Sequence, residues 1–256
     1  MIKNIWVITM FENYFDNFLE YGIIGSVFQN HRKSDIEFKF HPVSLPQFSP
    51  KGFKGVDDSP FGGGVGMILR ADVLKNALME GVVKPGGYAL DSFKDQLHIV
   101  CPSPRGKTWD QNQAQEFSEE FLSVNSEKDL VFICGRYEGI DERFLNNYVN
   151  QFISMGDFIL TGGELAVMTI LDSALRFSPG ILGNKLSAVD ESFVHDKLEY
   201  ALYTRPKEFE NSSVPEELVS GHHKKIEQFK ERSSLEITQK FRPDLLEKNG
   251  KSGTRK

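Results

Sequence analysis

Two cysteines, Cys101 and Cys134, are too few and too far apart for a disulfide framework. They form no CxxC pair, and no histidine stands at metal-ligand spacing from them, so a reduced, cytoplasmic chain without a bound metal is expected. Long apolar runs are missing too. Nothing in the 256 residues approaches the length a membrane-spanning helix needs, so no membrane partner is expected. The first ten residues carry one lysine ahead of a short strand-like run and no small-residue cleavage site, and no secretory signal is read there. Internal repeats and low-complexity tracts are absent.

What is present is the balance of a folded domain, with 39% hydrophobic and 26% charged residues. The net charge of -6 is unevenly spread. From Gly221 to Lys256 there are ten basic and five acidic residues, against 20 basic and 31 acidic in the first 220. An acidic body with a basic tail suits a polyanionic partner met through the C-terminal region, and equally a solvated tail.

Strand-like stretches rich in branched and aromatic residues lie at Asn4–Met10, Glu37–Leu45, Leu97–Cys101 and Asp129–Cys134. Helical spacing links Tyr14, Phe15, Phe18 and Leu19, with Gly22 as a stop, and then Val73, Leu74, Ala77 and Leu78. Asp110 suits a helix cap, and Glu164–Arg176 predicts a longer helix with Leu165, Met168, Leu171 and Leu175 on one face. The alternation predicts an α/β fold with a mainly parallel sheet over the first 177 residues. The aperiodic stretch Ser178–Asp196 predicts a linker or mobile loop, and a polar, helix-prone region follows it, with Ile226 and Phe229 three apart and Pro243 opening a final helix.

Four segments carry unusual local chemistry. Ser59–Met67 holds four glycines in five positions, which permits positive φ and close backbone approach, but it lacks the GKS or GKT ending of a phosphate loop. Cys101–Gly106 and Cys134–Arg143 each follow a strand, and Ser154–Glu164 opens the long helix. In open α/β sheets ligands sit outside the carboxyl ends of the strands. Gly135, Gly156, Gly162 and Gly163 there let main chain approach a planar base; singly, each is also an ordinary turn glycine.

In order along the chain stand SPFGGGVGM from Ser59, SPRG from Ser103, CGRYEGIDER from Cys134, GDFILTGGE from Gly156 and YTRP from Tyr203. By these blocks, over roughly Met1–Glu247, the sequence resembles the bacterial TrmD family of tRNA (guanine-N1) methyltransferases, members of the SPOUT superfamily. The resemblance implies a parallel sheet with a deep trefoil knot, a topology that general chain-threading rules exclude, plus a small helical C-terminal domain. It implies a knotted S-adenosylmethionine-binding domain over 1–177, a flexible linker and lid over 178–196 and a helical tRNA-binding domain over 197–256. It also implies a homodimer in which each active site is completed by the other subunit, and methyl transfer to N1 of guanosine 37, next to the anticodon.

By the same resemblance the cofactor contacts are Cys101, Pro102 and Ser103, then Gly135, Tyr137 and Glu138, then Met155, Gly156, Asp157, Phe158, Ile159, Leu160, Gly162 and Gly163. A methyl sulfonium needs no metal to be transferable, but guanine N1 carries a proton, so a general base and a cation near O6 are required. Arg176 matches the family arginine assigned to the second task, and as a helix-end arginine it also complements the dipole. The family aspartate before Ser-Phe is replaced here: Glu191 aligns with it, and Asp190 is one position off. By alignment Glu191 is the expected base, with Asp190 as the alternative, although glutamate is one methylene longer and sets its carboxylate more than about an ångström away. Phe53 and Phe61 replace a common histidine and tyrosine, and His222 replaces the asparagine of a Ser-Gly-Asn-His run. Arg205, His222, His223 and Lys224, with Lys225 and Lys230, are candidate RNA contacts through phosphate neutralisation. The competing expectations are a knotted methyltransferase of another RNA, or an RNA-binding or nucleotide-sensing protein that keeps the pocket and lacks the chemistry.

Overall fold

The computed structural model describes residues 1–182 and 191–251. It divides into two compact units, Met1–Gly183 and Asn184–Lys256.

The first unit is built on five strands in the order β2-β1-β6-β5-β7, every pair parallel. β1 is Ile2–Thr9 and β2 is Glu37–Ser44. After β2 comes a small antiparallel ladder, β3 (Asp57–Asp58) with β4 (Ile68–Leu69). The short helix α4 (Phe93–Gln96) leads into β5 (Leu97–Thr108), and the remaining sheet strands are β6 (Asp129–Ile133) and β7 (Gln151–Ser154). Crossover helices cover both faces, so the strands read as continuous apolar runs rather than as alternating ones. Ile5 and Val7 of β1, with Phe132 of β6, point into one core, where α5 (Gln111–Phe121) contributes Phe117 and Phe121 and α7 (Glu164–Leu175) contributes Val167, Ile170 and Leu171. Trp6, Ile8 and Val131 point to the other core, against Val73, Leu74 and Leu78 of α3 (Ala71–Leu78) and Phe144 of α6 (Glu142–Tyr148).

The four expected strands are present, and Asp110 caps α5 by accepting a bond from the Gln113 amide at 2.9 Å. Three details differ from expectation. β5 does not stop at Cys101. It leaves β7 at Pro102 and rejoins it at Lys107, both opposite Ile153, so Ser103–Gly106 bulge out of the ladder. The Tyr14–Leu19 stretch is a single 3-10 turn followed by α1 (Asp16–Glu20); Gly22, at φ +74°, then starts α2 (Gly22–Phe28) rather than ending the run. In α7, Leu165 is 45% exposed, because the helix turns Val167, Ile170, Leu171, Ala174 and Leu175 inward instead.

Ser178 donates to the Leu122 carbonyl at 2.9 Å, and Ile181 is wholly buried with α5 and α7, so residues 178–182 pack on the first unit. Residues 183–190 of the expected linker, Asp190 included, lie outside the described residues. Beyond them, Glu191–Lys197 folds on the second unit. The Phe193 amide donates to the Lys197 carbonyl at 2.7 Å, and the Glu199 amide donates to Ser192 Oγ at 3.0 Å. That unit contains a two-residue hairpin, β8 (Glu208–Phe209) with β9 (Ser212–Ser213). Three helices follow, α8 (Glu216–Val219), α9 (His223–Phe241) and α10 (Pro243–Lys251). Phe229 of α9 is buried, and Pro243 opens α10, where its missing N–H costs nothing.

His98, in β5, stacks on Phe121 at 4.0 Å, and His41, in β2, on Trp6 at 4.1 Å. Burial lowers the pKa of both, outweighing Gln151 beside His98 and Asp129 near His41. A lowered folded-state value means that below about pH 6.5 the unfolded chain binds protons the fold refuses, so stability present above that pH is lost as pH falls toward the folded value. Melting temperature should therefore drop between pH 7 and pH 5, with a smaller drop in His98→Gln; an unchanged slope in that variant removes His98 from the effect.

Candidate active site

Because the sheet is parallel, all carboxyl ends of its strands lie along one edge. The β5 bulge, the turn after β6 and the loop between β7 and α7 meet there and enclose a cleft of about 550 Å³. That size suits a nucleoside-sized ligand. Cys101, Pro102 and Ser103 form one wall. Gly135, Tyr137 and Glu138 form a second. Met155, Gly156, Phe158, Ile159, Leu160, Gly162 and Gly163 form the third, while Asp157, from the same loop, is not on the lining.

Local backbone requirements explain the sequence of each wall. A Cβ added at Gly106 would lie 2.4 Å from the Ile153 backbone nitrogen, so the bulge closes onto β7 only with glycine there. At Gly163 a Cβ would come within 2.8 Å of Cys134 Cα, and the Gly163 amide donates to the Gly135 carbonyl at 3.0 Å. The β6 turn and the entry to α7 are thus in main-chain contact. Tyr137 holds φ +57°, and the Glu138 amide donates to the Met67 carbonyl at 3.0 Å, which ties the turn to the end of the glycine-rich loop. In that loop Gly62, Gly63, Gly64 and Gly66 all have positive φ, and Phe61 is fully exposed. The loop is not part of the cleft wall.

The cleft is lined by main chain and apolar side chains, with few charges. Burial pushes the Cys101 thiol up to about 12 and the Cys134 thiol well above its usual value. Burial, with Asp57 nearby, also raises the Tyr137 hydroxyl.

Sequence reasoning passed over two charged pairs here. Arg136 forms an ion pair with Glu164 at 2.8 Å, and Arg105 pairs with Glu142 at 2.9 Å on the surface. Arg136 lay inside the Cys134 motif, and Glu164 ended the Gly-Gly-Glu run. Both residues stood in motifs placed at one sheet edge, but nothing in the sequence coupled their charges across 28 positions.

Arg176 is not on the cleft lining. It caps the far end of α7, thirteen residues beyond Gly163, or about 20 Å at helical rise. Glu191 is half-buried in the second unit. His222 is the N-cap of α9, and His223 and Lys224 begin it; all three are exposed, bringing two imidazoles and an ammonium to one helix N-terminus. Arg205 is exposed in the same unit.

Residues 3–248 match the family model described as tRNA (Guanine-1)-methyltransferase TrmD. The chain is 41% identical over 245 residues to a tRNA (guanine-N(1)-)-methyltransferase of Lactobacillus delbrueckii subsp. bulgaricus, covering 96% of this chain and 89% of that one. It is 40% identical to the protein of that name from Brevibacillus brevis, covering 94% and 90%, and 39% identical to that of Clostridium beijerinckii, covering 94% and 91%. A match running from the first strand into the last helix, over a fold whose glycine-built loops converge on one cleft, makes the chain a member of the TrmD family of tRNA (guanine-1)-methyltransferases.

Proposed function

We propose that this protein transfers a methyl group from S-adenosylmethionine to N1 of guanosine 37 in tRNA. The observation that carries the reading is the cleft at the carboxyl edge of the sheet, lined by the three segments whose motifs mark the family. Its residues fit the donor. A Cβ at Gly135 would touch only Ile140, at 3.8 Å, so the main chain there is open to an adenine edge, and the close contact at Gly163 keeps a side chain out of the floor. Cys101–Ser103, then Gly135, Tyr137 and Glu138, then Met155–Leu160 with Gly162 and Gly163 would hold the donor, in a backbone threaded as a trefoil knot.

When bound, the sulfonium supplies a methyl group already activated toward nucleophiles. The chain's own task is to make N1 a nucleophile. Glu191, or Asp190 beside it, takes the N1 proton, and Arg176 neutralises the charge that builds toward O6. The length of α7 argues that these groups act across two copies: with Arg176 about 20 Å from Gly163 of its own chain, a site containing both uses the arginine of a second copy. Arg205, His222, His223 and Lys224 hold the RNA backbone from the helical second unit; the positive end of the α9 dipole adds to the charge of Lys224 there.

Transfer of labelled methyl to tRNA with guanosine at position 37, compared with the same tRNA carrying adenosine there, tests the assignment. Labelling is expected only on the first. Equal labelling of both would assign another target, and none on either would leave a binding protein without chemistry.

A further inference from the structure

Glu164 is a buried carboxylate, 1% exposed, to which the proton transfer above gives no task. Its Oε1 accepts from the Thr9 hydroxyl at 2.7 Å, and its Oε2 is paired with Arg136 Nη2 at 2.8 Å. Arg136 in turn donates Nη1 to the Thr161 carbonyl at 3.2 Å and lies over the Phe11 ring at 4.8 Å. One guanidinium–carboxylate pair therefore joins the end of β1, the turn after β6 and the loop leading into α7. Two of these three segments form cleft walls.

The pair also sits where two of the walls meet. Arg136 and Gly162 face each other in an isolated antiparallel bridge, and a Cβ on Gly162 would come within 2.4 Å of the Arg136 guanidinium. The Gly163 amide reaches the Gly135 carbonyl from the next position along. A planar fork bonded at several nitrogens resists rotation and sliding, which a single ammonium does not.

We propose that Arg136 and Glu164, with Thr9 behind them, are positioning residues that hold the Gly135 and Gly162–Gly163 walls at the spacing the methyl donor requires. The inference rests on the cleft being the donor site. It predicts a loss of donor affinity from Glu164 and Thr9, neither of which lines the cleft.

Glu164→Gln keeps the shape and removes the charge; Thr9→Val keeps the shape and removes one donor. By calorimetry, the affinity of the folded protein for S-adenosylmethionine should fall about tenfold in Glu164→Gln and about threefold in Thr9→Val. In steady state, KM for the donor should rise in parallel while KM for tRNA stays within about twofold. Arg136→Lys should behave like Glu164→Gln. Parent-like donor affinity in a folded Glu164→Gln overturns the proposal, as does an equal rise in both KM values, which marks a general loss of structure. Should Glu164→Gln not fold, Thr9→Val decides, and unchanged affinity there overturns it. Failure of the parent protein to bind the donor overturns the assignment of the cleft itself, a different result from parent binding with indifferent variants.

Discussion

Glu191→Gln is expected to lower methyl transfer by about 10²–10⁴-fold, the range a positioned general base contributes, and to leave donor affinity within about twofold of the parent. The amide occupies the space of the carboxylate and cannot take the proton that blocks N1. Because Glu191 lies in the second unit and the cleft in the first, donor binding has no reason to follow the loss. Asp190→Asn should remain within a few-fold of the parent. The opposite pattern, a parent-like Glu191→Gln with an inactive Asp190→Asn, moves the base one residue back. The extra methylene of Glu191 shifts its carboxylate by more than an ångström relative to an aspartate, and rate is sensitive to displacements of that size.

The second large effect is on stability. At Gly106 a methyl group would meet three backbone atoms of Phe152 and Ile153 at 2.4–2.6 Å. Backbone in the middle of a ladder yields far less readily than a side chain, so β5 must part from β7 or the bulge must open. Gly106→Ala should cost about 3 kcal/mol, the upper part of the range for overpacking. For a unit of this size that is a fall of about 6–12 °C in melting temperature. Gly135→Ala is the matched control, since its Cβ finds only Ile140, at ordinary contact distance. Equal melting temperatures for the two variants would show that the β5–β7 approach is not a constraint.

Four of the five sheet strands were legible from runs of branched and aromatic residues, because strands buried on both faces carry that signature along their length. β7 escaped notice for a physical reason: it has four residues, of which Gln151 and Ser154 are polar, and it is held by its pairing with β5 rather than by its own propensity. The β5 bulge was hidden in another way. Pro102 and Pro104 read as the end of a strand, and only the pairing of both Pro102 and Lys107 with Ile153 reveals that the strand resumes. Leu165 shows the limit of counting apolar positions, since which stripe of α7 turns inward is decided by Phe117 and the sheet beneath it. At the site, the glycine-bearing motifs were visible as blocks, and their placement after parallel strands was enough to gather them at one edge. The Arg136–Glu164 pair was not legible. Opposite charges 28 positions apart are coupled only by the geometry that brings the β6 turn onto the start of α7.

Cys101 lines the cleft proposed for the methyl donor, yet the residue is almost wholly enclosed. Burial pushes the thiol up to about 12, so it is protonated at neutral pH. A reactive thiolate at that wall would compete with the purine for the electrophile and inactivate the protein by self-alkylation. Desolvation thus keeps the strongest latent nucleophile in the pocket chemically silent, and iodoacetamide should find it equally unresponsive.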